Sequence, residues 1–71
     1  ALKIDQSFVR DMLKDPDAER VVNTIVAVAR VYGLTTIAEG IESQEVLERL
    51  SDMGVDLAQG YFFGRPAPVG T

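Results

Sequence analysis

Lys3, Glu39 and Gln59 are the residues of this chain whose types and placement best suit chemistry. Each falls in or at the end of a short extended segment, and in a parallel α/β fold the C-terminal ends of the strands define the face where ligands bind. Glu39 precedes Gly40 at an expected strand-to-helix transition, where the small residue lets a ligand or a neighbouring loop approach the backbone. Its carboxylate either binds Mg²⁺ or Mn²⁺, directly or through a water, or it pairs with Lys3 or a nearby backbone group. Read alone, Lys3 is equally a partly exposed strand lysine, and Gln59 before Gly60 is equally a turn glutamine.

Other polar positions carry two readings each. Asp5 is a ligand or the cap of the following turn at Ser7 or Phe8. Glu42 braces a loop beside the Ser43 cap or faces water. Arg65, between Gly64 and Pro66, reaches a phosphate or pairs with an acidic side chain. Tyr61, Phe62 and Phe63 stack on a purine or pack a barrel. No glycine-rich phosphate loop, GxSxG elbow, HExxH pair or calcium loop is present, so any chemistry must be assembled from strand ends.

Composition narrows the chemistry further. The 71 residues contain no Cys and no His, so a metal site built here must use oxygen ligands, which favours magnesium, manganese or calcium over zinc. With 7 Lys plus Arg against 11 Asp plus Glu, the net charge of -4 provides no field to attract DNA or RNA. A small phosphorylated ligand held through a divalent cation remains compatible, because the ion reverses the local sign. No apolar run approaches the roughly 20 residues of a membrane span. A cytoplasmic location without direct membrane contact is therefore expected, in a parent chain that is free to be anchored elsewhere.

The elements that must position these residues follow from periodicity and caps. Leu2-Lys3-Ile4-Asp5 alternates as a short strand, and its abrupt start suggests a longer natural polypeptide. Ser7 is expected to cap a short helix carrying Phe8, Val9, Met12 and Leu13. Asp15, Pro16 and Gly33 delimit a helix over Pro16 to Tyr32, with Val22, Ile25, Val26 and Ala29 as its apolar stripe. Leu34 to Ala38 has strand composition. Ser43 and Gly54 bracket a third helix whose buried face holds Val46, Leu47, Leu50 and Met53. Val55 to Gln59 is a third strand, and Tyr61 to Pro68 reads as an irregular aromatic and proline-rich loop. Strands alternating with helices imply an α/β fold with parallel pairing and right-handed crossovers. Such a sheet leaves one face and its edges uncovered unless the rest of a closed barrel covers them.

Three blocks then stand out together: Lys3-Ile4-Asp5-Gln6-Ser7-Phe8-Val9, Ala38-Glu39-Gly40-Ile41-Glu42, and Gln59-Gly60-Tyr61-Phe62-Phe63-Gly64-Arg65-Pro66. In order and spacing they resemble the last three signature blocks of the EAL family of cyclic di-GMP phosphodiesterases. The resemblance implies a (β/α)8 TIM-like barrel whose Mg²⁺- or Mn²⁺-dependent site cuts one phosphodiester bond of cyclic di-GMP to give pGpG in bacterial second-messenger signalling. By the same resemblance, Lys3 orients or activates the attacking water, Glu39 is associated with metal-bound water, Gln59 helps fix that water, and Glu42 supports a loop.

The resemblance also sets what is expected to be missing. Residues 1–71 correspond to the C-terminal portion of the domain, three parallel strands with their helices, while the family's EAL motif, most of its metal-binding carboxylates and its final helix lie outside them. The expected partners are cyclic di-GMP, the remainder of the same barrel and, as one option, a second copy in a homodimer. The expectation is an active parent hydrolase and an inactive segment. The alternatives are a degenerate barrel that senses cyclic di-GMP, or a scaffold that has lost nucleotide binding.

Overall fold

In a computed structural model, residues 1–60 and 63–68 are described, with side chains for 1–59 and for Pro68. The elements run β1 (Leu2–Ile4), α1 (Gln6–Asp11), α2 (Pro16–Tyr32), β2 (Thr36–Ile41), α3 (Gln44–Met53), β3 (Leu57–Gly60) and β4 (Phe63–Pro68). They form one four-stranded sheet in the order β1-β2-β3-β4. β1 pairs with β2 and β2 with β3 in parallel, joined by helical crossovers, as in one sector of a (β/α)8 barrel.

Local signals account for both long helices. The Asp15 side chain accepts a hydrogen bond from the Asp17 N–H, Pro16 takes the first turn, and Gly33 closes α2 in the left-handed conformation at φ 67°. Ser43 caps α3 by accepting from the Val46 N–H, and Gly54 ends it at φ 92°. The α2 stripe of Ala18, Val22, Val26 and Ala29 is buried, with Ile25 partly so; Ala18, Val22 and Val26 share one core with Val46 and Leu50 of α3 and with Ile4, Ala38 and Ala58 of the sheet. The outward residues Arg20, Asn23 and Arg30 are exposed. A salt bridge from Arg49 to Glu19 at 3.2 Å ties α3 to α2 across their flanks.

Several features depart from the sequence expectations, among them β3, which starts at Leu57 rather than Val55. Ser7 is not the cap of α1: Asp5 occupies the N-cap position, and the Ser7 hydroxyl donates to its carboxylate at 2.7 Å. Phe8 and Leu13 stay outside the core that Val9 and Met12 enter, because a helix this short buries only one narrow stripe. β2 begins two residues later than Leu34 and runs on through Glu39 and Gly40, because pairing with β3 continues past the point where local composition changes. Residues 63–68, read as a loop, form β4 antiparallel to β3. β4 lies at the sheet edge, where prolines that lack an N–H are tolerated on the side that needs no ladder bond.

Candidate active-site rim

Strand register decides which side chains share a face. Ile4, Ala38 and Ala58 are Cα partners across β1, β2 and β3, and all three are fully buried beneath the helices. Side chains alternate along a strand, so Lys3, Glu39 and Gln59, each one residue removed from that buried row, project from the opposite face. Glu39 and Gln59 are direct register partners, while Lys3 pairs with Ile37, two residues before Glu39. With strands about 4.8 Å apart and a rise of about 3.3 Å per residue, the Cα atoms of Glu39 and Gln59 are immediate neighbours, and that of Lys3 is about 8 Å from Glu39. Ile37, beside Lys3, and Leu57 fill the same face below Glu39 and Gln59, toward the N-terminal ends of the strands.

Glu39 and Gln59 are half-buried and Lys3 is exposed, so an ammonium, a carboxylate and an amide stand along one sheet face toward the carboxyl ends of the strands. Their opposite charges and mixed donor and acceptor capacity suit a polar ligand carrying both phosphate oxygens and an ordered water. Gly40 does not mark a strand-to-helix transition. It sits at φ 73° inside β2, where the register with β3 shifts between Glu39 and Ile41. That irregularity was not evident from the Glu39-Gly40 pair, since a glycine after a strand reads equally well as a stop.

The remaining candidates fall elsewhere. Glu42 is exposed and lines a cavity of about 260 Å³ between α1 and α3, together with Arg10, Lys14, Gly40 and Ser43. It is thus displaced from the row of Lys3, Glu39 and Gln59. The Asp5 carboxylate accepts from the Ser7 hydroxyl but caps no backbone N–H of α1. Tyr61 and Phe62, and the side chains of Phe63 and Arg65, lie outside the described residues.

A hard divalent cation takes six or more oxygen ligands. Among the described residues no group of three or more acidic side chains is placed to hold one. These residues therefore do not by themselves fit a resident Mg²⁺ or Mn²⁺. Sequence reasoning also missed the contact of Gln6 with Gly40 and the hydrogen bonds of Thr36 with Asp56, which link segments 34 and 20 residues apart and leave no local pattern.

Residues 1–66 match the family model described as the EAL domain. The chain belongs to the EAL domain family. It is 40% identical over 67 residues to the cyclic di-GMP phosphodiesterase RocR of Pseudomonas aeruginosa, a match covering 94% of this chain and 17% of that protein. Identity to the cyclic di-GMP phosphodiesterase PdeR of Escherichia coli is 44% over 69 residues, covering 97% of this chain and 10% of PdeR. Among solved structures, BlrP1 of Klebsiella pneumoniae in a manganese and cyclic di-GMP complex superposes with a TM-score of 0.81 at 34% identity, covering 96% of this chain and 17% of BlrP1. The chain therefore spans less than a fifth of the length of each of these relatives, and its parallel strands and helices follow the backbone of an EAL domain. No helix among the described residues is long and apolar enough to cross a membrane.

Proposed function

We propose that this segment supplies one side of the catalytic rim of a cyclic di-GMP phosphodiesterase, the remainder of the barrel supplying the other. The observation that carries the proposal is the pairing of Glu39 with Gln59 in register, with Lys3 on the same face one strand away. RocR and PdeR bear the name of that activity, and BlrP1 was solved with the nucleotide and manganese. Mg²⁺ or Mn²⁺ is held mainly by carboxylates outside these 71 residues.

In this reading the Glu39 carboxylate accepts a hydrogen bond from the attacking water, and the Gln59 amide beside it fixes the water's orientation. The Lys3 ammonium offsets negative charge as the water oxygen bonds to phosphorus. The bond from phosphorus to one ribose oxygen breaks, the proton that the water sheds ends on that oxygen, and linear pGpG is released. Glu42 and Arg65 take supporting or substrate-binding places at the margin. Residues 1–71 form part of a larger domain that acts in the cytoplasm, with the rest of the barrel and a second copy of the protein as its partners and no nucleic acid or membrane contact of its own.

The test is conversion of cyclic di-GMP to pGpG with Mn²⁺, by the complete domain that carries this segment and by the 71-residue chain alone. Turnover by the complete domain and none by the chain is the expected result. Binding measured with Ca²⁺ but no turnover with Mg²⁺ or Mn²⁺ would make the domain a sensor, and absence of both would remove the nucleotide from the account.

A further inference from the structure

The first residue of α1 rests on the irregular point of β2. A Cβ added to Gly40 would stand 2.5 Å from Gln6 Cβ, 2.9 Å from its Oε1 and 3.5 Å from its Cα. The nearest obstacle is the root of the side chain, which a change of rotamer does not move far. Gly40 also holds a positive φ that other residues rarely adopt, at the register shift between Glu39 and Ile41. Strict alternation would bring Ile41 onto the same face as Glu39. With the extra residue absorbed at Gly40, Ile41 is instead fully buried in the cluster that holds Ala38, on the side of the sheet away from Glu39.

The same contact bears on Lys3. Only Asp5 separates β1 from α1, so a displacement of Gln6 is transmitted to the end of the strand that carries Lys3. We propose that Gln6 and Gly40 form a spacing contact that sets the separation of Lys3 from Glu39, making both of them positioning residues for the rim. The proposal rests on the phosphodiesterase reading for what the spacing serves, while the contact itself is independent of that reading.

Four variants of the complete domain test it: Gly40→Ala, Gln6→Gly, and Gly40→Ala combined with Gln6→Gly or with Gln6→Ala. Gly40→Ala is expected to lower kcat for cyclic di-GMP by about a hundredfold with little change in KM, since misplacement near 1 Å costs about that much. Adding Gln6→Gly removes Cβ and Oε1 and leaves only Cα at 3.5 Å, an ordinary contact, so part of kcat returns. Adding Gln6→Ala keeps the Cβ at 2.5 Å and returns nothing. Gln6→Gly alone loosens the spacing and lowers kcat while KM holds. Equal rescue by Gly and Ala, rescue by neither, a loss confined to KM, or full kcat in Gln6→Gly would each overturn the proposal. Should Gly40→Ala prevent folding, recovery of folded protein with Gln6→Gly and not with Gln6→Ala is the supporting result, and the reverse overturns it. If the parental domain neither binds nor cuts cyclic di-GMP, the functional reading fails instead. The contact is then judged by the Lys3 and Glu39 amide chemical shifts, which should move in Gly40→Ala and return only with Gln6→Gly.

Discussion

Thr36 and Asp56 hold each other's backbone at the start of β2 and β3. The Asp56 carboxylate accepts from the Thr36 N–H at 2.9 Å and from its hydroxyl at 3.2 Å, while the Asp56 N–H donates to the Thr36 hydroxyl oxygen at 3.0 Å. Thr36 is 1% exposed, so its amide has no water to turn to if the carboxylate is lost. The clasp pins the start of both strands two residues before Ala38 and Ala58, and thereby the register that makes Glu39 the partner of Gln59.

Asp56→Ala should therefore destabilise the fold by about 1–3 kcal/mol, the cost of leaving a buried donor unpaired. Asp56→Asn keeps one acceptor oxygen and should lose distinctly less. Urea denaturation of the two variants measures the difference, and equal losses would mean that acceptance from Thr36 is not what Asp56 contributes.

The two capping side chains make a second prediction. Asp15 and Ser43 each satisfy a backbone N–H in the first turn of their helices. Alanine at either position should cost about 1 kcal/mol, and Asp15→Asn or Ser43→Thr much less. Thermal melts followed by circular dichroism at the helical band are sufficient to rank them.

Burial sets a third contrast. Leu50 is fully buried between α3 and the sheet, whereas Val31 on α2 is 78% exposed. Leu50→Ala should cost about 2–5 kcal/mol through lost transfer energy and the cavity left behind, while Val31→Ala should stay within about 0.5 kcal/mol. A measured cost for Val31 comparable to that of Leu50 in the complete domain would locate a packing partner on that flank of α2.

The rim residues make the fourth. In the complete domain, Glu39→Gln should lower turnover of cyclic di-GMP by about 10²–10⁴-fold, the range for losing a positioned proton acceptor. Binding of the intact nucleotide should fall much less. Gln59→Ala and Lys3→Met should follow the same pattern more weakly, and Glu42→Gln, outside their row, should be the mildest. Steady-state kinetics beside calorimetric binding separates the two effects, and a Glu39→Gln domain that turns over at the parental rate would remove Glu39 from the chemistry.

Residues 1–71 by themselves determined the two long helices nearly to the residue. Asp15, Pro16 and Gly33 for α2, and Ser43 and Gly54 for α3, act on backbone groups only a few positions away, so their meaning is complete within the local sequence. The three extended segments and the family motifs were legible for the same reason. What only the tertiary structure decided is which way the strand residues face and where the strands end. Register between β2 and β3 depends on Thr36 meeting Asp56, the bulge at Gly40 on Gln6 lying over it, and β4 on an open edge of β3 that accepts prolines. Each of these is a contact between residues distant in the chain or a pairing of whole strands, and a shift of one residue would have turned Glu39 from the open face into the core.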